Sequence, residues 1–465
     1  MMEKVDSLTQ EVAAFIVRTN YQDLPAEAIR IAKRCLIDGT GVILSGSTDQ
    51  ASVILRQYLE SIGGKVESAV LGSKLRVPAP AAALANGTSG HAQDFDDTQL
   101  STSSDRLTGL LTHPTTPVLA ATFALGEVKG ISGIEFLTAF SLGFEVECKM
   151  AEAIYPVHYK KGYHTTGTIG AFGAAVASGK ILRLSEKQMR YALGIVASMS
   201  AGIRANFGTM TKPLHAGRAA ENGVVAGHLA KLGFTSDPQV LENPWGFFKI
   251  LGEGFDLDKI SGKLGNPYTI VDPGISIKPY PSGVLSHPSM NAMLDLVKEH
   301  HLHPEDVAEI HLYAGSNILN PLRYALPQTA LEGKFSLPFC LTSILLRQRA
   351  GLREFSDEFV KSPEVQEMMK RVKTILDPEI EAKGYAKILS RVEVRLKHGK
   401  TLKRESGPYK GGPENPLSQA ELYEKFTTCA ELALLPHQIS QALELLNGIE
   451  KLQDIRILIP ALLPD

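Results

Sequence analysis

Through the first part of the chain, to about residue 265, apolar residues recur with a helical period and short polar turns separate the runs. Ser7 and Gln10 form the pattern of a capping box opening a helix through Val17. Pro25 suits the first turn of a second helix, which runs to Leu44 before Gly46, and Asp49 to Ile62 make a third, stopped by Gly63-Gly64. A short extended piece, Glu67 to Leu71, precedes a helix over Pro78 to Asp97 rich in alanine and glycine. Further helices are predicted over 115–128, 132–155, 166–182, 186–200 and 216–232. Small residues crowd Gly167 to Gly179. Glycine costs about 1 kcal/mol against alanine inside a helix, so this density predicts helices in close approach.

Near Thr269 the period changes. Pro273, Pro279, Pro281 and Pro288 interrupt the helical pattern, and Val307 to Ala314 and Ser390 to Leu396 alternate as half-buried strands do. His398-Gly399-Lys400 reads as a turn, with Thr401 to Arg404 as the returning strand. Helices are expected between these strands over 290–301, 336–350 and 363–375, and again over 418–432 and 437–448 after the loop at 407–415. The pattern predicts a mainly α protein. Both termini build a large all-helical domain (1–268 and 407–465), and 269–406 form an inserted, smaller α+β lid domain with an antiparallel sheet.

Composition narrows the function more than the fold. Of 465 residues, 44% are hydrophobic and 21% charged, which supplies a large core, and a net charge of −2 gives no general basic field for nucleic acid or an anionic membrane. The four cysteines (Cys35, Cys148, Cys340 and Cys429) stand apart without zinc or iron–sulfur spacing and read as buried thiols. With an acidic, polar start and no apolar run of about 18 residues, the chain reads as cytoplasmic, with no membrane segment. The glycines near 167 do not make a phosphate loop, because the spacing to Gly179-Lys180 is wrong and Ile181 replaces the hydroxyl residue. Asp94, Asp96 and Asp97 lack the glycine and distal glutamate of an EF-hand, so no metal is assigned to them.

Five polar islands remain: His91 to Thr98, His113-Pro114, Gly162 to Thr165, Thr211 to His215, and Lys278 to Pro281. In a continued helix Asp94 and Thr98 share the face of His91, while Asp96 points elsewhere. His113 and His164 each precede a helix, whose N-terminal field and surroundings lower an imidazole pKa and keep it neutral near pH 7. Lys212, His215 and Arg218 gather at a helix start, where the dipole disfavours cations, so an anion partner is expected from a substrate or a structural aspartate. Lys278 lies at the entry to the inserted domain, where a hinge would carry it over the helical site. This inventory fits a cofactor-free enzyme that binds a carboxylate and moves a proton beside it.

The segments HAQDFDDT, KGYHTTGTIGAFGAA, ALGIVASMSAG, NFGTMTKPLHAGRAAENG, KPYPSG and GPENPLSQAELYEKF, with the pair His113-Pro114, resemble the MmgE/PrpD family in order along nearly the whole chain. The resemblance implies a helical domain with an α+β lid, a homodimer, no cofactor and no metal. It also implies a lyase acting on a small di- or tricarboxylate. Dehydration of a 2-methylcitrate-like hydroxy acid is expected first, with decarboxylation of a cis-aconitate-like acid or epimerisation of an iminodisuccinate-like acid as alternatives. Catalytic roles are implied for Asp94, His113, His164, Lys212 and Lys278, and substrate contacts are expected from His91, Thr98, His215, Arg218 and Tyr280. The stretch 99–112 is longer than in the decarboxylase members and is expected to line the pocket, and a lid tyrosine has two candidates, Tyr313 and Tyr324.

Overall fold

A computed structural model describes residues 7–101, 108–109, 112–384 and 387–465. It is mainly α with a small α+β insertion, as the periodicity predicts. Most helices fall within a few residues of their expected bounds, because their caps are local. Ser7 accepts from the Gln10 amide at the start of Leu8–Arg18, and Asp49 accepts from Ala51 at the start of Gln50–Ile62. Leu8, Val12, Ala13 and Ile16 bury one face of that first helix.

The helices that carry the site are glycine- and alanine-rich and almost wholly buried. Ala79–Ala92 and Thr211–Lys231 cross where a Cβ on Gly87 would sit 2.9 Å from Gly217 Cα, and a side chain on Gly217 would strike the Leu84 carbonyl. Further along, Gly223 meets Gly170–Ile181 at Ala174, leaving no room for a methyl group. Since Gly87 meets Gly217 while His91 meets Lys212, the first pair is antiparallel. The missing side chains therefore place the C-terminus of one helix beside the N-terminus of the other.

Two large apolar cores account for most of the buried surface among the described residues, with a smaller cluster between the helices Ala79–Ala92 and Thr211–Lys231. One joins residues from Leu8 to Ile277 with Leu417 to Leu462, and the other holds Tyr280 to Tyr409 together with Phe207. The second core covers a four-stranded sheet in the order Val372–Leu376, Val307–Ala314, Ser390–Leu396, Thr401–Glu405. Its first pair is parallel and the others antiparallel. The sequence reading placed a helix over 363–375, but the helix spans Pro363–Met369 and Val372–Leu376 is the edge strand. Val365, Met368, Met369 and Val372 mimic a helical i, i+3, i+4, i+7 stripe, so periodicity alone carried the helix too far.

Gly223→Ala should lower stability by about 1–3 kcal/mol through overpacking against Ala174. Gly407→Ala, which meets nothing within 4 Å, should stay within about 0.5 kcal/mol. Thermal unfolding followed by circular dichroism separates the two, and equal midpoints would contradict the packing role given to Gly223.

Candidate active site

The helix Ala79–Ala92 ends before the acidic residues, so the expected helix to Asp97 is too long by one turn. Asp94 adopts a left-handed backbone, φ 52°, a conformation that aspartate tolerates better than most residues. Three buried ammonium groups from distant parts of the chain hold this turn by its carbonyls. Lys334 donates to Ala92 O at 2.9 Å, Lys278 to Asp94 O at 2.7 Å, and Lys425 to Phe95 O at 2.9 Å. Lys425 also pairs with buried Asp38 at 2.6 Å.

The turn aims two carboxylates at a histidine cluster. Asp94 Oδ1 accepts from Lys212 Nζ at 2.6 Å, and its other oxygen lies 3.4 Å from Lys278 Nζ. Asp96 was expected to point away. Instead, freed from helical geometry, it faces His91 Nδ1 at 2.9 Å and His113 Nδ1 at 3.3 Å and accepts from Thr116 Oγ1 at 2.8 Å. Lys212 Nζ lies 2.7 Å from His91 Nε2, which must accept because an ammonium only donates. His91 is therefore neutral, with its proton on Nδ1 toward Asp96. Burial, helped by Lys212, lowers its pKa to about 3 despite Asp96. Burial also lowers His113 and His164, each facing neighbouring lysines. For Asp94, burial works toward protonation, but Lys212 and Lys278 overcome it and hold the carboxylate ionised.

A narrow cleft with a volume of about 40 Å³ lies over this cluster. Asp94, Thr98, His113, His164 and Lys212 form its polar wall, while Val284, Leu285, Leu322 and Phe335 form an apolar one. Phe207 and Phe335 place their rings 5.2 and 5.5 Å from Lys212 Nζ. Thr98 joins the cleft through a bridge to Ser276 and lies 3.3 Å from His113 Nδ1, not through a shared helix face. His164 Nε2 is buried next to this space without a hydrogen-bond partner among the described residues.

Several expected substrate contacts sit elsewhere. His91 and Lys278 lie immediately behind the cleft wall, where they hold Lys212 and Asp94. His215 stands behind His164, with Nδ1 3.0 Å from His164 Nδ1. Arg218 is exposed and pairs with Glu221 at 2.5 Å, two turns beyond the helix start, because Thr211–Lys231 begins five residues before the expected 216. Tyr280 packs in the second core, with its hydroxyl 3.3 Å from Asn291. Of the two tyrosine candidates, Tyr324 approaches the cleft wall by donating to Phe207 O at 3.3 Å, whereas Tyr313 lies on the sheet under Arg391. Most of the 99–112 stretch, including 102–107 and 110–111, falls outside the described residues.

Composition could not reveal Asp96, Phe207, Lys334 or Lys425 as parts of this centre. The one available signal was the repeated aspartate after His91, which helical geometry misassigned. His91, His113 and His164 converge closely enough to ligate a metal ion. However, Lys212 occupies His91 Nε2, and three further ammonium groups donate to the carbonyls of the turn.

The whole-chain comparisons agree with this architecture. A profile of the MmgE/PrpD N-terminal domain matches residues 10–260, and one of the MmgE/PrpD C-terminal domain matches residues 280–447. The chain is 28% identical to the human cis-aconitate decarboxylase, with 97% of this chain and 94% of that protein covered. It is 27% identical to the Mus musculus cis-aconitate decarboxylase (97% and 92% covered) and 26% identical to that of Aspergillus terreus (98% and 96%). With two consecutive profiles that together match most of the chain, it belongs to the MmgE/PrpD family of lyase-type enzymes.

Proposed function

We propose that this enzyme decarboxylates a small unsaturated tricarboxylate of the cis-aconitate kind without a cofactor. The observation that carries the reading is the two-sided cleft: one wall of Lys212, Asp94, His113 and His164 faces another of Val284, Leu285, Leu322 and Phe335. Relatives that span the chain and are cis-aconitate decarboxylases support decarboxylation over the dehydration expected first from the sequence.

An ammonium carries three donors, and two of those on Lys212 are engaged by His91 and Asp94, leaving one for a substrate carboxylate. A second carboxylate placed against the apolar wall loses its solvation and its charge as carbon dioxide forms. The carbon–carbon bond breaks, its electron pair stays in the unsaturated acid, and the charge spreads toward the carboxylate held by Lys212. His164 Nε2 then supplies the proton that completes the product, so each turnover consumes one proton. Dehydration of a 2-methylcitrate-like acid is the second reading. Thr98 and His113, 3.3 Å apart on the polar wall, form a pair able to receive and protonate a hydroxyl leaving group.

Charge balance makes a further demand. In the empty cleft Lys212 and Lys278 offset Asp94 and Asp96, and the imidazoles are neutral. A polyanion adds negative charge beside His113 and raises its depressed pKa. Because the bound state holds more protons than the free state, affinity should rise as pH falls.

Incubation with cis-aconitate, 2-methylcitrate and iminodisuccinate should release carbon dioxide from the first. Loss of water from methylcitrate alone would favour dehydration, and deuterium uptake at unchanged composition would favour epimerisation. Lys212→Ala should lower kcat/KM by about a hundredfold or more with the circular dichroism spectrum retained; wild-type kinetics would remove Lys212 from the chemistry. Calorimetric titration with a tricarboxylate in buffers of different ionisation enthalpy should show proton uptake near pH 7.5 and tighter binding at pH 6. Release of protons would contradict the neutral imidazoles.

A further inference from the structure

His164 has two nitrogens in two different environments. Nε2 is buried at the reaction cleft without a partner, and Nδ1 meets His215 Nδ1 at 3.0 Å. The two rings lie 5.2 Å apart. Gly202 borders both residues: its carbonyl accepts from the His164 amide at 3.0 Å, and its φ of 147° is one that side-chain-bearing residues rarely adopt. His215 is only partly buried and lines a second, more open depression with Gly202, Ile203, Arg218 and Asn222. This depression shares no lining residue with the reaction cleft. His215 Nε2 has no protein partner among the described residues.

We infer that His164 and His215 form a proton relay that feeds the covered reaction cleft from the second depression. The inference rests on the lyase reading above, since that chemistry needs one proton at carbon while the lid covers the cleft. Neither Asp94 nor Lys212 can supply it without breaking the ion pair that holds them.

The relay balances as follows. At rest His164 carries its proton on Nε2, and His215 carries one on Nδ1 that it donates to His164 Nδ1. As His164 gives its Nε2 proton to the substrate carbon, the shared proton crosses to His164 Nδ1. His215 Nε2 takes a replacement from water in the outer depression. Both rings are neutral before and after, and one solvent proton has entered the product. When the cleft opens, a water proton returns to His164 Nε2, the shared proton moves back, and His215 Nε2 releases one to solvent. The groups facing the pair favour neutral rings throughout. Lys212 precedes His215 on its own helix, His91 and His113 adjoin His164, and Arg218 stands in the outer depression, tied to Glu221. Burial and Lys212 lower His215 to about 4, so a proton resting there is passed on and not stored.

His215 thus acts through His164, as a relay and positioning residue. Its test is chemical rescue in the full-length enzyme. His215→Ala should lower kcat about a hundredfold with KM nearly unchanged. Added imidazole, entering the hole from the outer depression, should restore turnover in proportion to its concentration, with a dependence on the pKa of substituted imidazoles. Wild type should not respond. His215→Gln, which keeps a hydrogen bond to His164 but cannot pass a proton, should be slow and not rescued. Wild-type kcat in His215→Gln, or a loss in folded His215→Ala that no imidazole reverses, would overturn the relay while leaving the lyase assignment intact. A wild-type enzyme inert toward every acid tested would overturn both.

Discussion

The turn at Ala92 to Asp97 is where fold and chemistry meet. Three ammonium groups donate to the carbonyls of Ala92, Asp94 and Phe95, and a fourth, Lys212, takes the Asp94 carboxylate. Ions this deeply buried each cost several kcal/mol in lost hydration, an expense offset only when partners and geometry are complete. Lys278 comes from the junction between the two cores, Lys334 from the segment of the second core, Lys425 from the helix Gln419–Ala430, and Lys212 from the helix Thr211–Lys231. The left-handed backbone at Asp94 therefore exists only after residues far apart in sequence have converged. The partners of this turn thus come from both sides of the seam between the two cores.

Hydrogen-bond direction follows from that assembly. Lys212 can only donate, so His91 must accept at Nε2 and present Nδ1–H to Asp96, which also faces His113. Among the described residues His164 Nε2 is buried beside the cleft without a hydrogen-bond partner, and His113 Nε2 comes no closer than 3.8 Å to Asp94. The cluster is close to electrically balanced until an anion enters. An anion entering this arrangement would raise the proton affinity of the imidazoles beside it.

The apolar wall has a separate origin. Val284, Leu285, Leu322 and Phe335 belong to the second core, and Phe207, although it lies in the first half of the chain, packs with them. The polar wall belongs to helix ends of the first core. A reaction space with opposed chemistries thus comes from the seam between two cores, and movement at this seam is what would admit substrate and then exclude water.

Local patterns in the chain sufficed for much of this. Periodicity, caps and glycine stops placed the helices of the larger part, alternation placed three of the four sheet strands, and the histidine–aspartate and lysine motifs named Asp94, Thr98, His113, His164 and Lys212, all of which line one cleft. These features are encoded within one or two turns, where each residue's preference acts on its neighbours. Tertiary structure alone decided that the helix stops at Ala92, turning Asp96 inward, that Val372–Leu376 leaves its helical stripe to pair with Val307–Ala314, and that Arg218 and Tyr280 stand off the cleft. It alone brought Lys334 and Lys425 to the turn and His215 to the back of His164. The reason is physical: a buried charge or a backbone in an unfavoured conformation is stabilised by partners hundreds of residues away, and no local pattern carries their position.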